Sequence, residues 1–248
     1  MKTVFKRILW GIAIVIALIV IFVVGFFLKM KSELKEMNVS ETKEIIANIY
    51  TIKDSFVNLY LVKDSNNYIA IDAGNDPNVV NAQLNKLAIN PDNVVAVLLT
   101  HTDKDHVAAL SIFKNAKVYF AKEEMQMLKG EKHKFLFMTN KISTKEYTLL
   151  DDQQTINIGN VKIKGYLMPG HTSGSMCYLV NDKYLFTGDA LSLKNGKIAP
   201  MNKFFNMDND LSIKSIANIT KIDSVAYIFT AHHGFTNDYK SAVKDWGK

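Results

Sequence analysis

Cysteine and proline are scarce in this sequence. Its 248 residues include one cysteine, Cys177, and four scattered prolines. A single thiol cannot form an internal disulfide, and without Cys-x-x-Cys pairs the chain cannot build a structural zinc site from thiolates. The sequence shows no proline-rich linker, no repeat of fixed period and no low-complexity tract. The length then allows one sizeable domain with its own core, or at most two small ones.

Acidic residues are missing from the first 31 positions. Five of the 30 basic residues lie there, which leaves 25 basic against 24 acidic residues and lowers the net charge from +6 to +1 for the rest of the chain. The excess positive charge therefore belongs to the N-terminal segment. A nucleic-acid partner would require a basic patch on the domain to neutralise phosphates, so the composition argues against such a partner.

Residues 8–28, ILWGIAIVIALIVIFVVGFFL, form a long run without charge. As a helix this run would be roughly 30 Å long, about the thickness of a hydrocarbon core. It is longer than the apolar region of a signal peptide, and no small-residue cleavage motif follows it. We therefore expect an uncleaved membrane anchor at 8–28, a basic leader at 1–7 and a polar juxtamembrane stalk at 29–44.

The charges that flank this run bear on its orientation. Three basic residues lie before it and three lysines follow it closely, so the positive-inside bias is weak. Because the leader is so short, we expect the N-terminus to stay in the cytoplasm. The protein would then be single-pass, with a catalytic domain outside the cytoplasm.

Strand runs and helices occur in two successive blocks over residues 45–248. VNLYLVK and YIAID flank the turn signal DSNN and predict a hairpin, and INIGNVKIKGYLM and MCYLVNDKYLF predict two more. VVAVLL (94–99) is a continuous apolar run, typical of a strand buried on both faces. Helices are predicted over 78–89, 107–113 and 209–220 and from Asp238 onward. Such blocks of strands and helices favour an α+β domain with packed sheets and outer helices.

Five of the six histidines lie where a predicted strand ends and a loop begins: His101, His106, His171, His232 and His233. Asp72 and Asp189 also end strands, and the segment THTDKDH (100–106) adds Asp103 and Asp105 directly after a buried run. Polar side chains at several strand ends converge when the strands share one sheet edge. Imidazole and carboxylate are common ligands of zinc, iron and manganese. The pattern therefore predicts a divalent-metal site in preference to a polar surface loop.

With these motifs the sequence resembles the metallo-β-lactamase-fold hydrolases. The resemblance covers roughly residues 45–245 and includes NLYLV…YIAIDAG, THTDKDH, PGHTSGS, FTGDA and FTAHHG. It implies a four-layer αββα sandwich, preceded here by one transmembrane helix. It also implies a metal site at one edge, between the two sheets.

The resemblance further implies two divalent ions, zinc first among them. The implied ligands are His101, Asp103 and His171 for one ion, Asp105, His106 and His232 for the other, and Asp189 between both. Asp105 would in addition orient the attacking hydroxide. Either histidine of AHHG could be the last ligand, and the distance from AYIFT favours His232. We expect Asp72 to organise the loop beneath the site and His233 to contact a ligand or the substrate.

This chain departs from the family motif at one position. The usual motif is HxHxDH, and here Asp103 replaces the middle histidine. Because a carboxylate oxygen is a harder ligand than an imidazole nitrogen, iron or manganese becomes an alternative to zinc.

The implied reaction is hydrolysis of a small-molecule ester, lactone, amide, thioester or phosphoester. Two adjacent ions lower the pKa of a shared water to give hydroxide, and they polarise the bond that it attacks. The motifs show no Ser-His-Asp or Cys-His alternative. A different hypothesis is a metal-binding sensor or partner-docking domain without turnover. All seven ligand positions hold competent residues, which favours the enzyme.

Overall fold

A single long helix, α1 (Lys2–Glu36), forms the N-terminal unit of the computed structural model, which describes residues 2–134, 138–144 and 146–246. The chain divides into two compact units, Met1–Met37 and Asn38–Lys248. Within the described residues, α1 is the one helix long and apolar enough to cross a membrane, with a mean hydropathy of 3.2 in its apolar window. The run 8–28 lies inside α1, and the helix continues into the segment 29–44.

The second unit holds all the strands described here. They are β1 (Lys43–Ile46), β2 (Ile49–Asp54), β3 (Val57–Asp64), β4 (Asn67–Ile71), β5 (Val94–Leu98), β6 (Lys117–Ala121), β7 (Tyr147–Leu150), β8 (Thr155–Ile158), β9 (Val161–Leu167), β10 (Met176–Val180), β11 (Tyr184–Phe186), β12 (Ser192–Lys194), β13 (Lys197–Ala199), β14 (Tyr227–Phe229) and β15 (Phe235–Thr236). The helices are α2 (Pro77–Lys86), α3 (Lys104–Val107), α4 (Met125–Leu128), α5 (Asn209–Ile219) and α6 (Tyr239–Val243).

Two mixed sheets dominate this unit. The first has the order β1-β2-β3-β4-β5-β6-β7, with antiparallel pairing up to β4 and parallel pairing from β4 to β7. The second has the order β15-β14-β11-β10-β9-β8, in which β11 and β14 are parallel. A small third sheet pairs β12 with β13. The expected hairpins β3–β4, β8–β9 and β10–β11 are confirmed as antiparallel pairs.

Three apolar clusters separate four layers. Strand β3 shows the rule, because successive side chains of a strand point to opposite faces. Leu59 and Leu61 pack in a cluster with Val80 and Leu84 of α2. Tyr60 and Val62 pack instead in a cluster that also contains side chains of β10, β11 and β14. A third cluster joins the outer face of the second sheet to α5 and α6. The expected αββα sandwich is therefore confirmed.

Local sequence signals explain the two longer helices of this domain. Helix α2 has Pro at its first turn, and Asp76 caps it by accepting a hydrogen bond from the backbone of Asn78. Helix α5 is capped in the same way by Asp208, which accepts from the backbone of Leu211 at 2.9 Å. Such caps satisfy amide donors that the first helical turn leaves without partners. Both helices then place apolar residues toward the sheets.

The helix expected over 107–113 is wrong in its bounds. Helix α3 begins earlier, at Lys104, and ends at Val107, and a separate 3₁₀ turn covers Leu110–Ile112. The carbonyl of His106 accepts a hydrogen bond from Ala73, and the amide of Ala109 donates to Gly74. Because these backbone groups pair with the loop after β4, a longer α-helix cannot use them.

Candidate metal centre

The ends of four strands place all the candidate ligands except His171, which follows β9, at one edge of the sandwich. Strands β4 and β5 are parallel with Ile71 opposite Leu98, so Asp72 and the THTDKDH segment leave the first sheet side by side. Strands β11 and β14 are parallel with Phe186 opposite Phe229, and Asp189 and His232 follow them. The parallel pairing therefore brings together residues that are far apart in the sequence.

The first group of ligand atoms belongs to His101, Asp103 and His171. Oδ2 of Asp103 lies 3.5 Å from Nε2 of His101 and 3.3 Å from Nε2 of His171. Both imidazoles are buried. The candidate ligand atoms lie within 4.8 Å of one another, close enough to share one ion.

The second group belongs to Asp105, His106 and His232. Oδ2 of Asp105 lies 3.6 Å from Nε2 of His106 and 3.4 Å from Nε2 of His232. The candidate ligand atoms of this group also lie within 4.8 Å of one another. The structure thus separates the ligands of THTDKDH into two neighbouring sets.

Asp189 lies between the two groups. Its Oδ1 is 3.1 Å from Nε2 of His232 and 3.5 Å from Nε2 of His106. Its Oδ2 is 3.3 Å from Nε2 of His171, in the first group. With one oxygen toward each group, this carboxylate has the placement expected of a bridging ligand. The glycine before it, Gly188, has φ +51°, and a Cβ there would overlap the side chain of Thr100.

A network of hydrogen bonds orients the imidazoles of His101 and His106. Nδ1 of His106 donates to Oδ2 of Asp72 at 2.8 Å, and Nδ1 of His101 lies 3.1 Å from the hydroxyl of Thr100. The same hydroxyl donates to Asp72 at 2.8 Å. Asp72 is buried and has φ +64°, a conformation that non-glycine residues adopt mainly where the surroundings hold them. It therefore organises the loops and leaves both Nε2 atoms facing the centre.

The other two imidazoles are oriented in a similar way. Nδ1 of His232 donates to the carbonyl of Phe56 at 2.6 Å, and its ring stacks on the Phe56 ring. Nδ1 of His171 lies 3.2 Å from the side-chain oxygen of Asn206. In metal sites a partner on one ring nitrogen fixes the tautomer, so that the other nitrogen can bind.

Several buried atoms of the centre have no hydrogen-bond partner in the described part of the chain. They are Nε2 of His101, Nε2 of His106 and Oδ1 of Asp189. Buried polar atoms are normally paired, because losing water without a new partner costs free energy. Convergent nitrogen and oxygen atoms of this kind fit divalent cations, and the residues therefore fit a metal centre.

Negative charge exceeds positive charge around the second group. Burial lowers the pKa of His232, but the charges of Asp189 and Asp105 outweigh burial and raise this pKa to about 10. The pKa of His106 is raised well above its usual range for the same reason, with Asp72 contributing. Burial raises the pKa of Asp105, yet the neighbouring imidazoles bring it down to about 2. This set of ligands attracts a cation.

The first group already contains a cation, Lys134, which the sequence reasoning missed. Its Nζ donates a short hydrogen bond to Oδ2 of Asp103 and lies 2.6 Å from Nε2 of His171. Burial raises the pKa of Asp103, but Lys134 holds it well below its usual range. Burial and the same ammonium lower the pKa of His171 to about 4. The one signal in the sequence was the extra negative charge that Asp103 adds to the motif.

Glu124 is a second residue that the sequence reasoning missed. It is fully buried, and its Oε1 accepts hydrogen bonds from the amide and the hydroxyl of Thr102, each at 2.8 Å. Its Oε2 accepts from the hydroxyl of Thr172 at 2.7 Å and from the amide of Gly174 at 3.0 Å. One carboxylate thus ties the His101 loop to the His171 loop. Nothing in EEMQML distinguishes this glutamate from a surface residue.

The two remaining histidines, His133 and His233, lie outside both ligand groups. His233 follows a candidate ligand directly, and burial together with the charge of His232 lowers its pKa to about 4. Its Nδ1 has no hydrogen-bond partner in the described residues. His133 belongs to none of the motifs, and its Nδ1 is 3.2 Å from the carbonyl of Met138.

The fold and the site agree with a family comparison. The sequence model of the Metallo-beta-lactamase superfamily matches residues 52–232, most of the second unit. The chain belongs to the metallo-β-lactamase superfamily. The matched region includes all seven candidate ligands.

Similar proteins include two that are named as probable hydrolases. The probable polyketide biosynthesis zinc-dependent hydrolase PksB of Bacillus subtilis is 41% identical over 99 residues, which cover 39% of this chain and 38% of that protein. The probable metallo-hydrolase MJ0296 of Methanocaldococcus jannaschii is 28% identical over 162 residues, which cover 63% of this chain and 66% of that protein. The match therefore spans less than two thirds of either relative.

Solved structures show the same superfamily fold. A metallo-beta-lactamase family protein of Thermus thermophilus aligns with a TM-score of 0.63 at 17% identity, over 81% of this chain and 78% of its own. A B3 metallo-beta-lactamase with an active-site glutamic acid aligns with a TM-score of 0.64 at 16% identity, over 86% of this chain and 91% of its own. At such identities the likeness shows the fold alone.

Proposed function

We propose that this superfamily member is a membrane-anchored, metal-dependent hydrolase of a small-molecule ester, lactone, amide, thioester or phosphoester. The observation that carries the proposal is the set of buried ligand groups at one sheet edge, including imidazole and carboxylate atoms without hydrogen-bond partners in the described residues. The Bacillus subtilis relative is named as a probable zinc-dependent hydrolase, which supports the same chemistry.

The ligand roles follow the two groups. His101, Asp103 and His171 would hold one ion, Asp105, His106 and His232 the other, and Asp189 both. Two adjacent divalent ions, when bound, lower the pKa of a water molecule and polarise a carbonyl or phosphoryl oxygen. Zinc suits the imidazoles, and the added oxygen ligand of Asp103 keeps iron or manganese as alternatives.

A cavity beside the centre gives a substrate access to it. It has a volume of about 420 Å³, and Asp103, Asp105, Lys104 and Asn140 are among its lining residues. The Asp105 side chain is 22% exposed, whereas that of His106 is fully buried. Asp105 therefore faces the side from which a substrate would arrive. We propose that Asp105 orients the group that attacks the substrate. The neighbouring histidines stay out of contact with solvent.

We further propose that the chain is arranged as a leader (1–7), an anchor (8–28), a stalk (29–44) and a catalytic domain (45–248) outside the cytoplasm. The length and apolar composition of α1 support the anchor. Carbonate washing of membranes from cells that express the full chain tests it. The anchored protein stays in the pellet, whereas release of the full chain by carbonate would contradict the proposal.

Hydrolysis is tested with the full chain in a mild detergent, screened against chromogenic esters, lactones, phosphodiesters and β-lactams. We expect turnover of at least one class, with loss of turnover in His106→Ala and His232→Ala. The matched control is His133→Ala, which removes a histidine outside the ligand groups and should keep activity. Metal binding without turnover of any class would favour the sensor or docking hypothesis.

A further inference from the structure

The ammonium of Lys134 lies among the ligand atoms of the first group. Its Nζ contacts Oδ2 of Asp103 and lies 2.6 Å from Nε2 of His171. The Lys134 side chain is only 7% exposed, although it comes from the segment between α4 and β7. A lysine normally keeps its charged end in water, so this burial shows that the group accommodates a cation.

Lys134 and a metal ion cannot use this group at the same time. An ion bound by imidazole and carboxylate lies roughly 2.0–2.2 Å from each ligand atom. The ammonium nitrogen is already at hydrogen-bond distance from two of the three ligand side chains, Asp103 and His171. A metal ion in contact with the same two atoms would overlap the ammonium. Binding there requires that Lys134 move away.

The charges of the two groups differ for the same reason. In the first group, the negative charge of Asp103 is balanced by Lys134. In the second group, Asp105 has only His106 and His232 as ion-pair partners in the described residues, and the charge of Asp189 is shared between the two groups. A divalent ion is therefore attracted more strongly to the second group.

We propose that Lys134 is a tethered cation that competes with metal for the group formed by His101, Asp103 and His171. The second group then fills first, and the first group takes an ion only when Lys134 withdraws. The adjoining cavity, which Lys134 itself lines, offers the space for this movement. This inference rests on the proposed metal centre, and it assigns a reason for the aspartate at position 103.

Zinc titration of the metal-free full chain in detergent, against a chromophoric chelator, tests the inference. We expect two steps for the wild type, the second weaker than the first by roughly tenfold or more, since a charge-assisted hydrogen bond must be broken. Lys134→Met should tighten the weak step by roughly the same factor and leave the tight step unchanged. Lys141→Met is the matched control, because Lys141 lines the same cavity and should not alter either step.

A measurement without substitution covers the case in which Lys134→Met fails to fold. Acetylation of lysines, followed by mass spectrometry, should modify Lys134 slowly with one zinc per chain and faster with two. Lys141 should react at the same rate in both samples. Unchanged Lys134 labelling on adding the second ion overturns the inference. An identical two-step titration in wild type and Lys134→Met also overturns the inference. Either of these two results leaves the hydrolase proposal standing. Failure of every form to bind metal overturns both.

Discussion

Nδ1 of His106 and Oδ2 of Asp72 are joined by a hydrogen bond of 2.8 Å, although 34 positions separate the two residues. The bond connects the loop after β4 with the helical turn that carries the ligands. It is reinforced by Thr100, whose amide donates to Asp72 at 2.7 Å. Asp72 thereby holds the ligand segment in place without belonging to a ligand group itself.

Asp72→Asn should weaken metal binding by roughly 10- to 100-fold, the usual effect of removing a carboxylate that orients a metal-binding histidine. Asparagine preserves the size but loses the charge that fixes the His106 tautomer. Competition with a chromophoric chelator measures the change. Asp76→Asn is the control, since Asp76 caps α2 and belongs to no ligand group. Equal weakening in both variants would show a general loss of stability instead of a lost orientation.

Glu124→Gln should lower the free energy of unfolding by about 1–3 kcal/mol, because it leaves buried donors without acceptors. The amide group of glutamine can accept on one side only, whereas Glu124 accepts on both from Thr102, Thr172 and Gly174. Denaturant unfolding of the metal-free protein measures this loss. Glu131→Gln, at an exposed position, provides the comparison. A variant as stable as wild type would contradict the role of Glu124 as a tie between the two loops.

Zinc binding should release protons at neutral pH. Burial lowers the pKa of His232, but Asp189 and Asp105 raise it to about 10, so the metal-free imidazole carries a proton that the ion must displace. Apparent affinity should therefore rise with pH from 6 to 8, because this range lies about two units or more below that pKa. Calorimetry in two buffers of different ionisation enthalpy counts the protons. Identical heats in both buffers would contradict the prediction.

Asp103→His should increase the zinc retained after mild chelation, because imidazole is a better ligand for zinc than a carboxylate is. The substitution also removes the carboxylate that forms an ion pair with Lys134. Asp103→Ala should instead reduce the metal content, since it removes a ligand of the first group. Elemental analysis of the purified full chain measures both. Full metal content and full activity in Asp103→Ala would mean that Asp103 is a loop residue only.

Much of the domain could be predicted because its signals are local. The apolar run of β3 and the turn residues after it predict a hairpin before any tertiary contact is considered. The strand ends marked by Asp72, His101, Asp189 and His232 converge because the strands that precede them pair in parallel. Strand pairing of that kind follows from the family resemblance, and the ligand pattern alone indicates only a shared edge.

Lys134 and Glu124 could not be predicted for a physical reason. Both act through contacts with residues more than twenty positions away, Lys134 with Asp103 and Glu124 with Thr102. Lys122 and Glu123 precede Glu124, and Lys132 and His133 precede Lys134, as on many solvated surfaces. The bounds of the short helix α3 were predicted wrongly because its backbone pairs with the loop after β4. Such long-range pairing leaves no periodic pattern in the sequence.

The most direct test of the metal-dependent hydrolase is the hydrolysis rate measured against the number of bound metal ions in the same sample. The metal-free full chain is loaded stepwise, and the best chromogenic substrate of the screen reports turnover. We predict no turnover without metal, a rise with metal content, and no rise in His106→Ala. A metal-free chain that hydrolyses the substrate as fast as the loaded one would contradict the account.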